Sequence, residues 1–304
     1  MKNVVIIIPI YNPDRKFNIL LQALKVQEEV NFDLLIVDSG SEFDTYKNDL
    51  DGLDYKIFKI THQEFNHGGS RQKAAELCGN YHFLVFMTQD AIPYNNKSIC
   101  NLLNAFKDPS VGCAYGRQIP HKDASVLASR ARIFNYPAKS RIKTRKDIDE
   151  LGIKVSFISD TFAAYRREAL DAVGGFPSDV ILGEDTYVAS KMILAGWSNS
   201  YCADAVVYHS HNYSVEQEFR RYFDTGVFHA DEPWIQKTFG KAEGEGVKFV
   251  ISELKFFLLN NPLIIPSMLL RDACKFIGYR VGKIHAFLPN FINRKFSMSK
   301  NYWK

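Results

Sequence analysis

Polar side chains with ligand chemistry follow three apolar runs in the N-terminal part of the sequence. The runs are Val4–Ile10, 34–37 and Phe83–Met87. The residues at or just beyond their ends are Pro9, Tyr11, Asn12, Asp38, Ser39, Gln89 and Asp90. Parallel α/β sheets bind ligands at the carboxyl ends of their strands. These side chains are therefore predicted to line one binding site.

Two carboxylates in this set have different predicted chemistry. Asp38 precedes a turn of small residues, where it can accept hydrogen bonds from a base N–H or a ribose hydroxyl; the alternative is an aspartate that only stabilises the turn. Asp90 follows the run FLVFM, a position suited to holding Mg²⁺ or Mn²⁺ against a diphosphate. A cation there would offset the negative charge that develops when a nucleoside diphosphate departs.

A glycine pair begins a predicted helix in the segment HGGSR, residues 67–71. Gly68 and Gly69 permit close backbone approach, and the free N–H groups of a helix start favour an anion. Arg71 adds a charged donor suited to phosphate. The segment is neither a P-loop nor G-x-G-x-x-G, so a simple strand-to-helix turn is the alternative.

Acids and histidines later in the sequence offer proton transfer and metal binding. Glu184 and Asp185 begin a predicted helix, where acids either complement the helix dipole or supply a general base for an acceptor hydroxyl. His209 and His211 follow the apolar run AVVY, and an imidazole there could complete a metal site with Asp90. We expect the two imidazoles to point apart, so that only one of them is a ligand.

Strands alternating with helices must position these residues. Further strands are predicted at 55–60, Val111–Ile119, 162–165 and 205–208, and helices at 17–27, 70–77, 98–106, 167–175 and Glu184–Leu194. The alternation implies right-handed βαβ crossovers and an α/β fold with a mostly parallel central sheet flanked by helices. The polar segment 134–152, which holds five Lys or Arg, is interpreted as a mobile loop or lid, with a solvated basic loop as the alternative.

The C-terminal part of the chain carries the positive charge. The sequence has a net charge of +4, but residues 245–304 contain ten Lys or Arg and three acids, which leaves +7 in this region. Such asymmetry predicts an anionic partner, either a membrane surface or nucleic acid. Asparagines and prolines interrupt the apolar segment 255–270, which disfavours a spanning helix. An interfacial helix on anionic lipid, or a helix packed on the rest of the chain or in a dimer, fits the pattern.

The cysteines and the N-terminus indicate the compartment. Five scattered cysteines without a C-x-x-C pair predict a reducing cytosol rather than a disulfide framework. The first apolar run is too short to span a membrane and reads as a buried strand.

Five segments identify a family resemblance. They are VVIIIPIYN, LLIVDSGS, HGGSRQKAAE, FLVFMTQDA and GGFPSDVILGEDTYVASKMILAGW, in this order between residues 3 and 211. In order and spacing they resemble the family 2 glycosyltransferases, which have the Rossmann-like GT-A fold. The resemblance implies a catalytic domain at 1–213, with a nucleotide-binding part at 1–120 and an acceptor part at 121–213. A helical, basic C-terminal region at 214–304 would follow and would contact a membrane or a second copy.

The resemblance also implies residue roles. Asp38 would face the nucleobase, with the residues after the first strand beside it. Asp90 would be the metal carboxylate of a D-x-D position, although the preceding acid is replaced by Thr88. Asp185 would be the catalytic base, with Glu184 next to it. His209, 24 residues after Asp185, resembles the metal histidine of some members and is preferred over His211.

The Q-x-x-R-W motif of processive synthases is incomplete. Here Gln217 and Arg220 are present, but Arg221 replaces the tryptophan. This disfavours a processive polymer synthase, while Arg220 could still reach the donor diphosphate.

A narrower resemblance points to the substrates. FNHGGSRQ, TQDA, YHSHNYS and QEFRRYFDTGVFH resemble the bacterial rhamnosyltransferases of O-antigen and cell-wall polysaccharide assembly. This implies an inverting transfer from dTDP-L-rhamnose to a lipid-linked saccharide at the cytoplasmic face of the cell membrane, and no nucleic-acid partner. The alternatives are another nucleotide sugar, such as UDP-glucose, UDP-galactose or UDP-N-acetylglucosamine, and a non-catalytic subunit that binds sugar nucleotides and scaffolds a partner enzyme.

Overall fold

One mixed β-sheet organises the chain, for which a computed structural model describes residues 3–42 and 45–303. The strands are β1 (Val4–Ile10), β2 (Phe32–Asp38), β3 (Tyr55–Lys59), β4 (Phe83–Met87), β5 (Ile92–Pro93), β6 (Val111–Ile119), β7 (Arg141–Lys143), β8 (Phe162–Arg166) and β9 (Ser198–Tyr208). Their order across the sheet is β3-β2-β1-β4-β8-β6-β9-β5, and β7 pairs with β9. The predicted α/β class is confirmed.

The sheet is parallel in its first half and mixed in its second. β1, β2, β3 and β4 pair in parallel, as the alternation of strands and helices predicts. β8 then lies antiparallel to both β4 and β6, and β5 and β7 lie antiparallel to β9. The expectation of a mostly parallel sheet therefore holds only for the first half. A parallel strand beside β4 would need a crossover that brings the chain back to the end of the sheet where β4 starts. β8 enters the sheet from the opposite end and is therefore antiparallel to β4.

Helices cover both faces of the sheet. They are α1 (Arg15–Lys25), α2 (His67–Leu77), α3 (Ser98–Leu103), α4 (Val126–Asn135), α5 (Ile148–Leu151), α6 (Arg167–Ala172), α7 (Glu184–Leu194), α8 (Val215–Asp231), α9 (Pro233–Phe239), α10 (Glu243–Asn260), α11 (Ile265–Gly282) and α12 (Asn290–Phe296). Alternate residues of β1 point to opposite faces, so Ile6 and Ile8 join the core under α1 and α3, while Val5 and Ile7 join the core under α2, α6 and α7. This double burial explains why β1 is a continuous apolar run.

The segment 134–152 is folded rather than a lid, so that interpretation is wrong. It contains the end of α4, the strand β7 and the helix α5. Lys143 in β7 is 4% exposed, and its ammonium donates to the carbonyls of Lys154 at 3.0 Å and Phe157 at 2.6 Å. Arg141 pairs with Asp147 and Glu150. Arg141 is thus held by acids of the same segment and Lys143 by carbonyls of the residues that follow it, while Lys139, Arg145 and Lys146 are exposed.

The helices after residue 213 pack against the acceptor part of the sheet domain. α8 begins after the N-cap Ser214, one residue beyond the predicted domain boundary. One hydrophobic cluster combines Val180, Ile181 and Leu182 with Phe223, Val227 and Phe228 of α8. Apolar contact therefore continues across residue 213, and the two-domain division remains a prediction.

Glycines bring α8 and α11 into backbone contact. A Cβ atom at Gly282 would lie 2.0 Å from the carbonyl oxygen of Phe223, and one at Gly278 would lie 2.4 Å from that of Phe219. Any side chain at these two positions would separate the helices. The pair forms the framework on which the other C-terminal helices lie.

Residues 297–303 return to the sheet domain. The backbone N–H of Met298 donates to Asp224 at 2.9 Å, and the Tyr302 hydroxyl donates to the carbonyl of Asp179 at 3.2 Å. The Asn301 amide donates to the carbonyl of His62 at 3.2 Å. These bonds attach the end of the described chain to α8, to the loop before α7 and to the loop before α2.

The outer face of the C-terminal helices is apolar. Exposed side chains on α11 and the segment after it include Leu269, Leu270, Phe276, Ile277, Ile284 and Phe287, the last being 87% exposed. Within the described ranges, no helix is both long enough and apolar enough to cross a bilayer. We call these six residues the apolar stripe.

Candidate active site

The loops after β1 and β4 are joined by a reciprocal amide contact. The backbone N–H of Tyr11 donates to the Gln89 side chain at 2.9 Å, and the Gln89 amide donates to the Tyr11 carbonyl at 3.3 Å. The Tyr11 ring is 46% exposed and stacks on His62, with ring centroids 4.4 Å apart. Pro9 remains within β1. The two strand ends therefore meet, as predicted, beside an exposed aromatic pair.

Asp38 stabilises the turn that follows β2. Its carboxylate accepts from the backbone N–H groups of Gly40 at 3.1 Å and Ser41 at 2.8 Å, and from the Tyr46 hydroxyl at 2.9 Å. Ser39 donates its hydroxyl to the carbonyl of Ile10 at 2.8 Å. These contacts favour the turn-stabilising alternative for both side chains. A nucleobase contact from Asp38 stays a prediction.

Asn12 completes the turn on the side of β1. Its backbone N–H donates to the Ser41 hydroxyl at 2.9 Å, and its φ of 41° lies in the left-handed region. Asparagine tolerates that region better than most residues, so its occurrence after β1 has a local structural reason. Its amide side chain stays a predicted donor contact.

Asp90, His209 and His211 form a cluster that could hold a metal ion. Their ligand atoms all lie within 4.8 Å of one another. His209 Nε2 is 3.5 Å from Asp90 Oδ2, and His211 Nδ1 is 3.8 Å from the same oxygen. One carboxylate and two imidazoles make a donor set suited to a divalent transition metal.

The donor atoms in this cluster fit a cation. His209 Nε2 is buried and has no hydrogen-bond partner, although a buried polar atom without one is costly. Burial lowers the pKa of His209 well below its usual value and also lowers the pKa of His211, so both rings are neutral near pH 7. A neutral imidazole with an open lone pair is what metal coordination requires.

The expectation that the two histidines point apart is wrong. β9 ends at Tyr208, so strand geometry no longer governs residues 209–211. Even in an extended chain, residues two apart lie on the same face. The His209 and His211 rings pack edge to face, with centroids 4.6 Å apart, and both reach Asp90. His211 therefore joins the cluster with His209.

Three neighbours of this cluster are not apparent from motifs. His121 Nε2 lies 3.1 Å from the carbonyl oxygen of Asp90. Gln118 Oε1 lies 2.8 Å from His209 Nδ1, and Arg132 donates to the same oxygen at 2.6 Å. Gln118 lies near the end of β6, and these two partners come from α4 and from the residue that follows β9, so only the pairing of β6 with β9 could have indicated it.

Arg71 is buried among carboxylates instead of facing a phosphate. It is 5% exposed; its Nε lies 2.8 Å from Asp160 Oδ2 and its Nη1 lies 3.0 Å from Glu184 Oε1. Nη1 also donates to the His67 carbonyl at 2.8 Å. With its donors used in this way, the predicted phosphate contact is not supported. Arg71 instead pairs with the two acids Asp160 and Glu184, and a catalytic role for Glu184 stays a prediction.

The glycine pair likewise serves packing. A Cβ atom at Gly68 would lie 1.8 Å from the carbonyl oxygen of Pro177, so glycine is required where α2 passes the loop before α7. The backbone N–H of Gly69 donates to the N-cap side chain of Asn66 at 2.7 Å. The start of α2 therefore has a cap within the chain, while an anion site there stays a prediction.

Asp185 has the environment of a general base. One carboxylate oxygen accepts from the Thr186 backbone N–H at 2.6 Å and the other from the Asp160 N–H at 3.3 Å. Burial, reinforced by the negative charge of Glu184, raises the pKa of Asp185 to about 6. A carboxylate with this pKa is ionised at neutral pH yet binds a proton more readily than an exposed aspartate.

A turn at residues 159–161, closed by the hydrogen bond from the Phe162 N–H to the Ser159 carbonyl at 3.1 Å, joins the metal-competent cluster to the base. Gln118 donates to the Ser159 hydroxyl at 3.1 Å, and the Asp160 N–H contacts Asp185. The Thr88 N–H donates to the Thr161 carbonyl at 3.2 Å, which connects the segment to the loop bearing Asp90. Both chemical centres are thus attached to the same three residues.

Arg220 and Arg221 differ in their surroundings. Arg220 donates to Glu216, one turn earlier on α8, at 2.6 Å. Arg221 is exposed, and its charge is among the influences that hold the pKa of Glu184 down, after those of Arg71 and His67. It also lowers the pKa of His211. Arg221 therefore adds positive charge to the surroundings of Glu184 and His211, while a diphosphate contact from Arg220 stays a prediction.

Comparison with known proteins finds a matching family model and two similar proteins with the same described activity. The model of Glycosyl transferase family 2 matches residues 5–174. The chain is 48% identical over 300 residues to O-antigen chain rhamnosyltransferase RfbN of Salmonella typhimurium, which covers 99% of this chain and 96% of the relative. It is 47% identical over 304 residues to O-antigen chain rhamnosyltransferase WbaN of Salmonella anatum, covering 100% of this chain and 96% of the relative.

Solved structures share the fold. Mannosyltransferase PcManGT from Pyrobaculum calidifontis, solved with GDP-Man and Mn²⁺, superposes with a TM-score of 0.62 at 17% identity, over 91% of this chain and 87% of that one. The 1–349 fragment of TarS from S. aureus superposes with a TM-score of 0.53 at 17% identity, over 94% of this chain and 91% of that one. The GT-A architecture implied by the sequence motifs is therefore present.

Proposed function

Since the chain belongs to Glycosyl transferase family 2, we propose that it is an inverting rhamnosyltransferase of O-antigen synthesis, with dTDP-L-rhamnose as donor. The observation that carries the sugar assignment is the identity of 48% to an O-antigen chain rhamnosyltransferase over nearly the whole length of both chains. The site supports the reaction type independently, because it combines a buried base with a metal-competent cluster.

The donor would bind where the loops after β1, β2 and β4 meet. The exposed Tyr11 ring, stacked on His62, offers an aromatic surface for the thymine base. Asp90, His209 and His211 would hold Mg²⁺ or Mn²⁺, the second of which is present in the structure of the mannosyltransferase relative. When bound, such a cation offsets the charge that develops on the departing diphosphate. Arg221 would add an exposed positive charge that acts on Glu184 and His211.

The reaction would be a single in-line displacement. Asp185 accepts the proton of an acceptor hydroxyl as that oxygen forms a bond to the anomeric carbon of the donor. The bond from this carbon to the diphosphate oxygen breaks, and its electron pair leaves with dTDP. Attack opposite the leaving group inverts the configuration, so β-L-rhamnose in the donor becomes an α-rhamnoside. Glu184, Arg71 and Asp160 hold Asp185 in position without touching the substrate.

The acceptor would be a saccharide on a lipid carrier at the cytoplasmic face of the membrane. The apolar stripe provides a surface that could enter the lipid headgroup region, and residues 245–304 carry a net charge of +7, which attracts anionic lipid. A second copy of the chain covering the stripe is the alternative. If the apolar stripe binds lipid, the enzyme lies at the membrane surface that carries its acceptor.

The activity test uses the full-length chain, a synthetic lipid-linked acceptor and a panel of nucleotide sugars. We expect mass spectrometry to detect addition of one deoxyhexose from dTDP-L-rhamnose, and loss of product after exhaustive chelation with EDTA that Mn²⁺ or Mg²⁺ restores. Faster transfer from a UDP-sugar would overturn the donor assignment. Undiminished turnover in EDTA would remove the metal from the proposal but leave the transferase assignment intact.

The membrane test uses vesicle flotation. We expect the wild-type chain to float with phosphatidylglycerol vesicles and not with phosphatidylcholine vesicles, and the double variant Phe276→Glu/Ile277→Glu to lose this binding. Val26→Glu/Leu77→Glu is the matched control, because it charges two equally exposed apolar residues of the sheet domain. Loss of a dimer in the first variant, without any vesicle binding by the wild type, would favour the second copy instead.

A further inference from the structure

The buried amide of Gln118 and the guanidinium of Arg132 lie on the side of the His209 ring that faces away from Asp90. Gln118 is 1% exposed at the end of β6, where that strand runs parallel to β9. Its Oε1 atom receives a hydrogen bond from Arg132 of α4 at 2.6 Å and lies 2.8 Å from His209 Nδ1. His209 Nε2, on the other side of the ring, has no hydrogen-bond partner and faces Asp90.

The donor and acceptor inventory of these groups fixes the direction of each bond. A guanidinium has donors only, so the amide group that faces Arg132 must present its oxygen. The same oxygen faces His209 Nδ1 and can only accept, so Nδ1 must carry the proton. The remaining contact of the amide is with the Ser159 hydroxyl at 3.1 Å, and a hydroxyl can be donor or acceptor. Among the partners of the Gln118 amide, Arg132 is therefore the one that fixes which way the amide points.

The tautomer matters because it decides whether His209 Nε2 presents a lone pair or a proton towards Asp90. With the proton on Nδ1, the Nε2 lone pair is open beside the carboxylate, as metal coordination requires. With the proton on Nε2, the ring would donate to Asp90 at that edge and would have no lone pair there. A neutral imidazole without an oriented partner can adopt either form.

We propose that Arg132 and Gln118 are positioning residues that hold His209 in the Nδ1–H tautomer and so keep Nε2 open for a divalent metal. The inference rests on the metal site of the proposed function. It also gives α4 a role beyond packing, because this helix has no buried residues. Arg132 acts on the metal through two other side chains and touches neither metal nor substrate.

The experiment compares four variants of the full chain at pH 8, where imidazole is neutral. Gln118→Leu removes the acceptor, and Arg132→Met removes the group that orients the amide. The double variant Arg132→Met/Gln118→Glu restores an acceptor that needs no orientation, because both carboxylate oxygens accept. Arg130→Met is the matched control, since Arg130 lies on the same helix but bonds Ser252 of α10 instead of Gln118.

Two readouts are needed. Long-range ¹H–¹⁵N NMR of the metal-free protein labelled at histidine nitrogens reports which nitrogen of His209 is protonated, with His209→Asn to assign the signal. Titration of the free Mn²⁺ signal by electron paramagnetic resonance gives the metal affinity. A purely structural role for Arg132 would not change the tautomer, and circular dichroism verifies that each variant is folded.

We expect the wild type and the Arg130→Met control to show Nδ1–H alone and equal Mn²⁺ affinity. Gln118→Leu should weaken Mn²⁺ binding about 10–100-fold, the range for loss of a partner that orients a metal ligand. Arg132→Met should show the Nε2–H form and a smaller loss, and the double variant should recover both the tautomer and most of the affinity.

The proposal is overturned by an Nε2–H tautomer in the wild type, by an unchanged tautomer in Arg132→Met, or by a double variant no better than Arg132→Met. It also fails if Arg130→Met behaves like Arg132→Met, because docking of α4 would then be the cause. A wild type that does not bind Mn²⁺ would remove the metal from the proposed function, while the tautomer measurement would still decide the role of Arg132.

Discussion

Replacing Asp185 by asparagine should abolish turnover and at the same time stabilise the folded protein. Asp185 lies among Glu184, Asp160 and Arg71, and its pKa is raised to about 6, chiefly by burial and then by Glu184. Asparagine keeps the shape of the side chain but can neither accept the acceptor's proton nor carry a buried charge. Loss of a general base costs about 10²–10⁴-fold in rate.

The stabilisation follows from the direction of the pKa shift. The pKa of Asp185 rises from 3.8 in an ordinary environment to about 6 in the folded protein, which corresponds to about 3 kcal/mol against folding once the group is fully ionised. The folded state therefore binds more protons than the unfolded state between these two values, and stability falls as pH rises through that window. By the same relation the penalty is about 3 kcal/mol at about pH 7.5 and about 1 kcal/mol at about pH 4.5.

Asparagine removes this penalty but also loses one acceptor. Its single carbonyl oxygen can replace only one of the two carboxylate oxygens that accept from Thr186 and Asp160, at a cost of about 1 kcal/mol. The net expectation is a gain in the free energy of unfolding of about 2 kcal/mol at about pH 7.5 and about zero at about pH 4.5.

Urea unfolding of both proteins at the two pH values measures this difference. Asp204→Asn, which neutralises an exposed acid on β9, is the control and should show no such pH dependence. The wild-type kcat/KM should also fall below pH 6, to about a tenth of its plateau near pH 5, because the base must be ionised. Equal stability differences at both pH values, or turnover by the variant at the wild-type rate, would refute the assignment of Asp185 as a buried base.

Three further predictions test the other groups of the site and its framework. Arg71→Met leaves the buried carboxylate of Glu184 without its cation and should lower the free energy of unfolding by about 3–5 kcal/mol in urea titrations; unchanged stability with lost dTDP binding would restore a phosphate role. Arg221→Gln should weaken dTDP binding, measured by calorimetry, by about 1 kcal/mol or more, and the loss should grow as the salt concentration is lowered. The same measurement on Arg220→Gln shows which arginine reaches the diphosphate. Gly282→Ala should destabilise the protein by about 1–3 kcal/mol or more, whereas Gly244→Ala, with no neighbour within 4 Å, should not.

The sequence was informative where chemistry follows a strand end. Asp90 comes three residues after the end of β4 and His209 directly after β9, and each position could be read from an apolar run followed by a ligand residue. The helix boundaries of α7 and the strand boundaries of β1 were likewise visible, because a buried strand and an amphipathic helix have distinct periodicities. What these patterns indicate is where along the chain a ligand residue lies.

The patterns could not show which donors are already used by the protein. Arg71 resembles a phosphate ligand in the sequence, but its partner Asp160 lies 89 positions away, and no local pattern announces that pairing. Gln118 and His209 are separated by 91 residues and meet only because β6 and β9 are adjacent and parallel. Burial and long-range pairing decide whether a polar residue serves the ligand or the fold, and both arise from the complete topology.

The hydrogen bond from Asn301 to His62 has a consequence for the order in which the molecule is made. It joins residues 239 positions apart, and His62 carries the ring on which Tyr11 stacks. Contacts of such long range form late in folding, after the local elements. During translation, this contact therefore forms only after residues near 300 have been made. Nascent chains can assemble the sheet earlier, before the loop that carries His62 is joined to Asn301.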